Sequence, residues 1–194
     1  MRLKLLAPAL LLLGTVARAE PWTFDLAHSR VGFSVRHMMV SNVTGSFHDV
    51  KATVDLDEKN FAKSTVEFMI AASSIDTQNA DRDKHLKSPD FFDVARFPSI
   101  TFKSKKVARA GQGKLKVTGD LTIHGVTKEV VLNVDQLAKP AKDPWGNTRT
   151  GTQATAKISR KDFGLTWNKP LETGGVVVGD DVDITIDVEM VAKK

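Results

Sequence analysis

Five histidines, His28, His37, His48, His85 and His124, are the side chains best suited to move a proton or hold a metal near neutral pH. None falls in an H-E-x-x-H or comparable ligand spacing, so no metal site is read from them. Ser29 follows His28, and His85 lies two residues after Asp83, so a Ser-His-Asp set can be written down. It lacks the G-x-S-x-G context and the strand-turn-helix placement that expose a serine nucleophile. A Ser/His hydrolase is therefore the weakest reading. Glu67 and Glu189 fall on solvent-facing alternations and make poor buried acids or bases. The chain has no cysteine. That excludes a disulfide scaffold, a thiol nucleophile, a cysteine-ligated zinc site and a lipid anchor on an N-terminal cysteine. No glycine loop cradles phosphate. Gly174-Gly175 runs into valines and an acidic pair, and reads as a lid or a turn.

Residues 73–104 are the most unusual segment. They place Arg82, Lys84, His85 and Lys87 beside Leu86, Phe91, Phe92 and Phe97. One physical reading is a helical flap over an apolar cavity, with aromatics pointing in and cations on the rim, where an anionic head group would sit. The other is a solvated surface helix with an aromatic foot that plugs the core.

The elements that position these residues are strands. Apolar residues alternate with polar ones at period two. Val31, Phe33, Val35 and His37 share one face, and Arg30, Ser34 and Arg36 the other. Val66, Phe68, Ile70 and Ala72 repeat the pattern, as do Ile100 and Phe102, and then Leu115, Val117, Gly119, Leu121 and Ile123. Val130, Leu132 and Val134 follow, then Ala154, Ala156 and Ile158. Val182, Ile184, Ile186, Val188 and Met190 form the last apolar face. Parity slips by one between Phe47 and Val50, which predicts a β-bulge. The turns are short and polar, so neighbours are antiparallel. The pattern predicts about eight strands in one all-β domain, a barrel or a sandwich. Asp76 or Thr77 caps a short helix to about Lys87, and Ser88-Pro89 opens a further turn through Phe91 and Phe92. A second turn covers Arg160 to Leu165. His124-Gly125 reads as a hairpin turn. The small inward residues Gly45, Ala72, Gly119, Ala154 and Ala156 leave space that the phenylalanines either fill or leave hollow, and composition alone does not decide which.

The first 19 of the 194 residues form a separate unit. Arg2 and Lys4 precede an apolar run from Leu5 to Val16, and Ala17-Arg18-Ala19 is an A-x-A cleavage signal. The run is too short to span a bilayer. Cleavage after Ala19 removes three cations and no acid, and takes the formal charge from +5 to +2. A charge that small gives no reason to invoke nucleic acid. The expected mature chain, 20–194, is soluble and periplasmic.

The segment 73–104 also carries a resemblance. Ser74-Ile75-Asp76-Thr77, Arg82-Asp83, His85-Leu86, Phe91-Phe92-Asp93, Phe97-Pro98, Phe102 and Ser104 are similar to the YceI-like family of polyisoprenoid-binding periplasmic proteins. Trp22-Thr23-Phe24-Asp25 and His28-Ser29 extend the match, as do Val31 to His37, Gly45 and Phe47. Gly119 to Thr127, Arg160, Phe163-Gly164 and Val178-Gly179-Asp180 complete it. The loop before Asp180 departs from the pattern by an extra glycine and three valines.

The resemblance implies a lipocalin-like eight-stranded antiparallel β-barrel with one short helical insertion. It also implies a hollow interior that holds a polyisoprenoid, quinone-like lipid or fatty amide, with no further cofactor and no catalysis. The lining expected on this basis is Phe33, Val35, Phe47, Phe68, Ile70, Phe91, Phe92, Phe102, Leu121 and Ile123, with His37, Arg82 and His85 at the rim. Arg82 and Asp83 are expected to pair and pin the flap. The family includes members beside or fused to cytochrome b561-type membrane proteins, which implies a partner at the inner membrane. A homodimer through an edge strand or the open mouth is compatible with the sequence, and a solidly packed envelope-stress module is the alternative function.

Overall fold

The computed structural model describes residues 22–57, 59–172 and 174–192. The expected leader, 1–19, lies outside them. Twelve strand segments are β1 (Trp22–Phe24), β2 (Arg30–His37), β3 (Ser41–Phe47), β4 (Val50–Asp55), β5 (Thr65–Ala71), β6 (Ile75–Asp76), β7 (Ser99–Arg109), β8 (Leu115–Ile123), β9 (Val126–Val134), β10 (Ala141–Lys142), β11 (Thr148–Ser159) and β12 (Val178–Ala192). One helix, α1 (Ala80–Leu86), stands between β6 and β7.

The segments make a closed, eight-stranded antiparallel barrel. β1 and β2 follow one another along the same side of β12, so they act as one bent strand. β3 pairs with β2 and β4 with β1, so these two also act as one. Where the sequence predicts a bulge, the structure has a break between the two strands at His48-Asp49, at the point where the apolar parity slips. β5, β7, β8, β9 and β11 follow as a meander, and β11 closes the ring on β12 through Arg149 to Ser159. A second irregularity, at Ser104/Lys106 in β7, brings Val107 inward after Phe102. The Ser104 hydroxyl there accepts a hydrogen bond from the Val66 amide at 2.8 Å, beyond the point where β5 and β7 stop pairing.

One end of the barrel, here the upper, carries the β2–β3 turn, the β8–β9 turn, the α1 flap and the 160–177 segment. At the β8–β9 turn, His124 and Gly125 are both left-handed (φ 51° and 75°), as a tight hairpin requires. The α1 cap is Asn79, whose side chain accepts from the Arg82 amide at 3.0 Å. The expected cap Asp76 is engaged earlier, with the Gln78 amide. Ser88-Pro89 opens the expected turn, with the Asp90 amide donating to the Ser88 hydroxyl at 3.3 Å and the Phe91 amide to the Ser88 carbonyl at 3.0 Å. The Phe92 and Asp93 amides then turn back to the carbonyls of Leu86 and Ser88, so it does not lengthen into a helix. The 160–165 turn is a 3-10 helix, Arg160–Phe163, ended by left-handed Gly164. At the lower end, Trp22, Leu56 and Met190 form a small second core with Phe61 and Leu137. No helix among the described residues is long and apolar enough to cross a membrane.

Candidate functional site

Among the described residues, three apolar cavities lie in series along the barrel axis. The lower one, about 110 Å³, is walled by residues such as Phe24, Val50, Val66, Val117, Ala154 and Val188. The middle one, about 60 Å³, lies among Phe33, Phe47, Phe68, Phe102, Leu121 and Ala156. The upper one, about 120 Å³, lies under the flap, among Val35, Leu86, Phe91, Phe92, Phe163 and Val182. Lower and middle share Val31, Phe68, Leu132 and Ile186 as a common partition. Middle and upper share Phe33, Phe47, Ile123 and Ile184. Aromatic rings stand in both partitions beside aliphatic side chains. Phe68 stacks on Phe102 at 5.0 Å, and Phe47 meets both Phe33 (5.8 Å) and Phe92 (5.9 Å).

The alternating pattern explains the wall. Every inward position of β12 from Val182 to Met190 faces a cavity, with Val182 and Ile184 above and Ile186, Val188 and Met190 below. The ten apolar residues singled out in the sequence, Phe33, Val35, Phe47, Phe68, Ile70, Phe91, Phe92, Phe102, Leu121 and Ile123, all lie on the walls of the middle or upper cavity. The three polar ones do not. His37 ends β2 opposite Ser41 and Val178. Arg82 turns to Thr77, donating through Nε to its hydroxyl (2.7 Å) and through Nη2 to its carbonyl (2.7 Å). His85 Nε2 lies in hydrogen-bond contact with the Asp90 carboxylate at 2.8 Å, and the ring packs edge-on against Phe91 and Trp167.

Arg82 and Asp83 do pin the flap, but not by pairing with each other. Both clasp Thr77. The Asp83 carboxylate accepts from the Thr77 amide (2.9 Å) and hydroxyl (2.6 Å). Thr77 is buried, so these bonds are shielded from competing water.

Of the lining residues the sequence singles out, Phe68 alone reaches the lower cavity. Of the two roles open to Arg160, the rim or a tie from the second turn to a strand end, the structure shows the tie. The lower residues are an ordinary strand pattern and carry no local signal. Arg160 touches the upper cavity, yet no polar atom is exposed on that wall, so its hydrocarbon stem does the lining. Its guanidinium donates to the carbonyls of Gly179 (2.8 Å), Leu165 (2.5 Å) and Trp167 (2.9 Å), and lies 3.5 Å from Asp180. Burial pulls its pKa down and Asp180 opposes that. It is the staple that fastens the 160–168 segment to the start of β12.

No hydrolytic centre forms from the Ser-His-Asp set. The Ser29 hydroxyl is held by the backbone of Glu189, accepting from its amide at 2.9 Å. His28 pairs with Asp25 at 2.9 Å, and Asp83 is committed to Thr77. Asp25, His28 and Glu189 cluster on the outside with the spacing of a cation site. The Arg149 guanidinium already sits there, 2.6 Å from Asp25, 2.5 Å from Glu189 and 2.8 Å from Asp143.

A closed antiparallel barrel with an apolar, partitioned interior and a stapled flap defines a class of small-ligand barrel. Residues 22–190 match the YceI-like domain, and the chain belongs to that family. It is 39% identical over 194 residues to a UPF0312 protein of Photorhabdus laumondii, covering 99% of this chain and 97% of that one. Its fold is similar to that of BcnA from Burkholderia cenocepacia, with a TM-score of 0.75 and 26% identity over 86% of this chain and 98% of the other. It is also similar to a polyisoprenoid binding domain from Saccharophagus degradans implicated in plant cell wall breakdown. There the TM-score is 0.61 and the identity 16%, over 91% of this chain and 99% of that domain, a likeness of fold alone.

Proposed function

We propose that this protein is a periplasmic carrier that holds a polyisoprenoid or similar long-chain amphiphile along the barrel axis, and performs no chemistry on it. The observation that carries the reading is the row of three cavities with no polar atom exposed in any but the middle one, and almost none there. Such walls offer a hydrocarbon chain contact without any desolvated polar group to penalise it. Each CH₂ withdrawn from water is worth roughly 0.8 kcal/mol, and larger ligands net nearer 0.3 kcal/mol per heavy atom. Both figures permit tight binding by apolar contact. The membership in the YceI-like family and the binding named for the Saccharophagus domain agree with this class of ligand.

The partitions set a condition. A chain long enough to occupy all three cavities requires the Phe68 ring, and the Phe33–Phe47 pair, to turn aside. Chain selectivity then comes from how many partitions open.

The test is a native mass spectrum of residues 20–194 expressed to the periplasm, with extraction and identification of any bound molecule. We expect a stoichiometric adduct of polyprenyl or quinone-like mass. Ala154→Phe, which fills the lower cavity, should leave the protein folded and cut the adduct at least about tenfold. An empty barrel that also fails to take up added isoprenoid would overturn the proposal.

A further inference from the structure

We propose that the β2–β3 turn is a membrane-docking tip that presses the upper end of the barrel onto an anionic lipid surface. Met38, Met39 and Val40 stand at its apex, 44%, 52% and 75% exposed, three large apolar side chains in a row. Scattered exposed apolar residues need no explanation, but a consecutive run at a projecting apex marks a contact surface. The backbone there makes the choice of residues more telling. Met38 and Met39 are both left-handed, with φ of 47° and 61°. That is the I′ turn, which asparagine and glycine occupy at least cost and methionine does not. The local rule of turn chemistry is broken in favour of apolar side chains.

The tip is also held in place. The Val40 amide donates to His37 O at 3.0 Å, the Met38 amide to Val177 O at 2.8 Å, and the Arg36 guanidinium to Met39 O at 2.9 Å. Its exposure is therefore presented by the fold. Arg36 is exposed at its base, and residues 36–47 contain no acid. The adjoining strand-like segment adds exposed Lys169, whose carbonyl accepts from the Val177 amide. Glu172 is the one acid of that neighbouring loop among the described residues. On the other side of Arg36, Gly179, Asp180 and Asp181 of β12 run past, with Asp180 paired to Lys161 at 2.8 Å and Asp181 3.8 Å from Lys157. The apolar apex, with Arg36 and Lys169 at its base, suits acyl chains beneath anionic head groups. A bilayer, rather than another protein, is the occupant because Val35, three residues from the tip, and its partner Val182 wall the upper cavity. Docking there places the flap against the source of the ligand. This step rests on the lipid-carrier reading.

The experiment uses flotation with vesicles of phosphatidylethanolamine and phosphatidylglycerol. The variant Met38→Asn/Met39→Gly supplies the residues an I′ turn prefers, so it should fold with an unchanged or higher Tm. We expect it to lose vesicle binding at least about tenfold, while the mass-spectral adduct of protein purified from cells is retained. Trp145→Ser, which removes an exposed side chain (77%) at the opposite end, should bind vesicles as the parent does. Unchanged binding by the Asn-Gly variant, or loss of binding in Trp145→Ser instead, would overturn the docking proposal. So would a dimer in vesicle-free solution that the Asn-Gly variant abolishes, since the tip would then meet a second copy. None of these outcomes touches the carrier reading, which the adduct tests by itself.

Discussion

Gly45 and Gly119 are inward-facing residues whose missing side chains shape the barrel. A Cβ at Gly45 would stand 2.5 Å from the Phe33 ring and 2.8 Å from Thr77, and one at Gly119 2.5 Å from Lys103 O and 2.6 Å from Phe102. The two glycines leave no void. They let Phe33 and Phe102 lie flat across the interior, where both help wall the middle cavity. At Gly45 the obstacle is mostly a ring edge that can shift. At Gly119 part of it is backbone, which cannot. Gly119→Ala should therefore destabilise by about 1–3 kcal/mol, the usual cost of overpacking, read as a lower midpoint in urea with an unchanged m-value. The sequence marked both as small inward residues because period two places them on the apolar face. Whether they make room for a ligand or for a neighbouring ring depends on residues on other strands, Phe33 and Phe102, which local pattern does not connect to them.

The elements are fastened by polar staples that recur at the barrel ends. Above, Thr77, next to β6, holds Arg82 and Asp83 of the flap, and Arg160 locks the 160–168 segment to β12. Below, Arg149 ties β11 to the Asp25 turn, to Asp143 and to Glu189 of β12. The contacts around Thr77 explain why the helix cap falls to Asn79 and not to Asp76 or Thr77. Asp76, Thr77 and Asp83 all carry capping chemistry, and only the three-dimensional partners decide which group caps and which one clasps. The Arg149 knot has a pH signature. Its guanidinium, with help from His28, lowers Asp25 to about 2, and it holds Asp143 well below the usual carboxylate range. A depressed carboxylate contributes stability that is complete above its unfolded pKa, near 4, and lost as pH falls toward the folded value. Stability should thus decline between about pH 4 and pH 2. Arg149→Gln should be less stable at neutral pH and lose much of that slope, as measured by denaturant unfolding at a series of pH values.

At the scale of the whole molecule, a barrel with a partitioned interior is stabilised by whatever fills it. A ligand that binds only the folded state adds about 2.7 kcal/mol at a hundred times its Kd. Protein stripped of lipid by unfolding and refolding should melt several degrees below protein purified from cells, and added polyprenol should restore the difference. Ala154→Phe should melt at nearly the same temperature with or without lipid. A stripped barrel as stable as the native one would point to a solid core.

The alternation of apolar and polar residues was enough to determine the strands, their inward faces, the change of parity after Phe47 and the antiparallel meander. All of these follow from local geometry, since period two leaves only one way to bury the apolar side. The flap's aromatics were legible for a related reason: Phe91 and Phe92 stand where no strand demands them. Closure of β11 on β12, the division of the interior by Phe33, Phe47 and Phe68, and the roles of Arg149 and Arg160 were decided by the tertiary structure alone. Each depends on side chains from distant strands meeting at one place, and such a meeting leaves no periodicity in the chain that folds to make it.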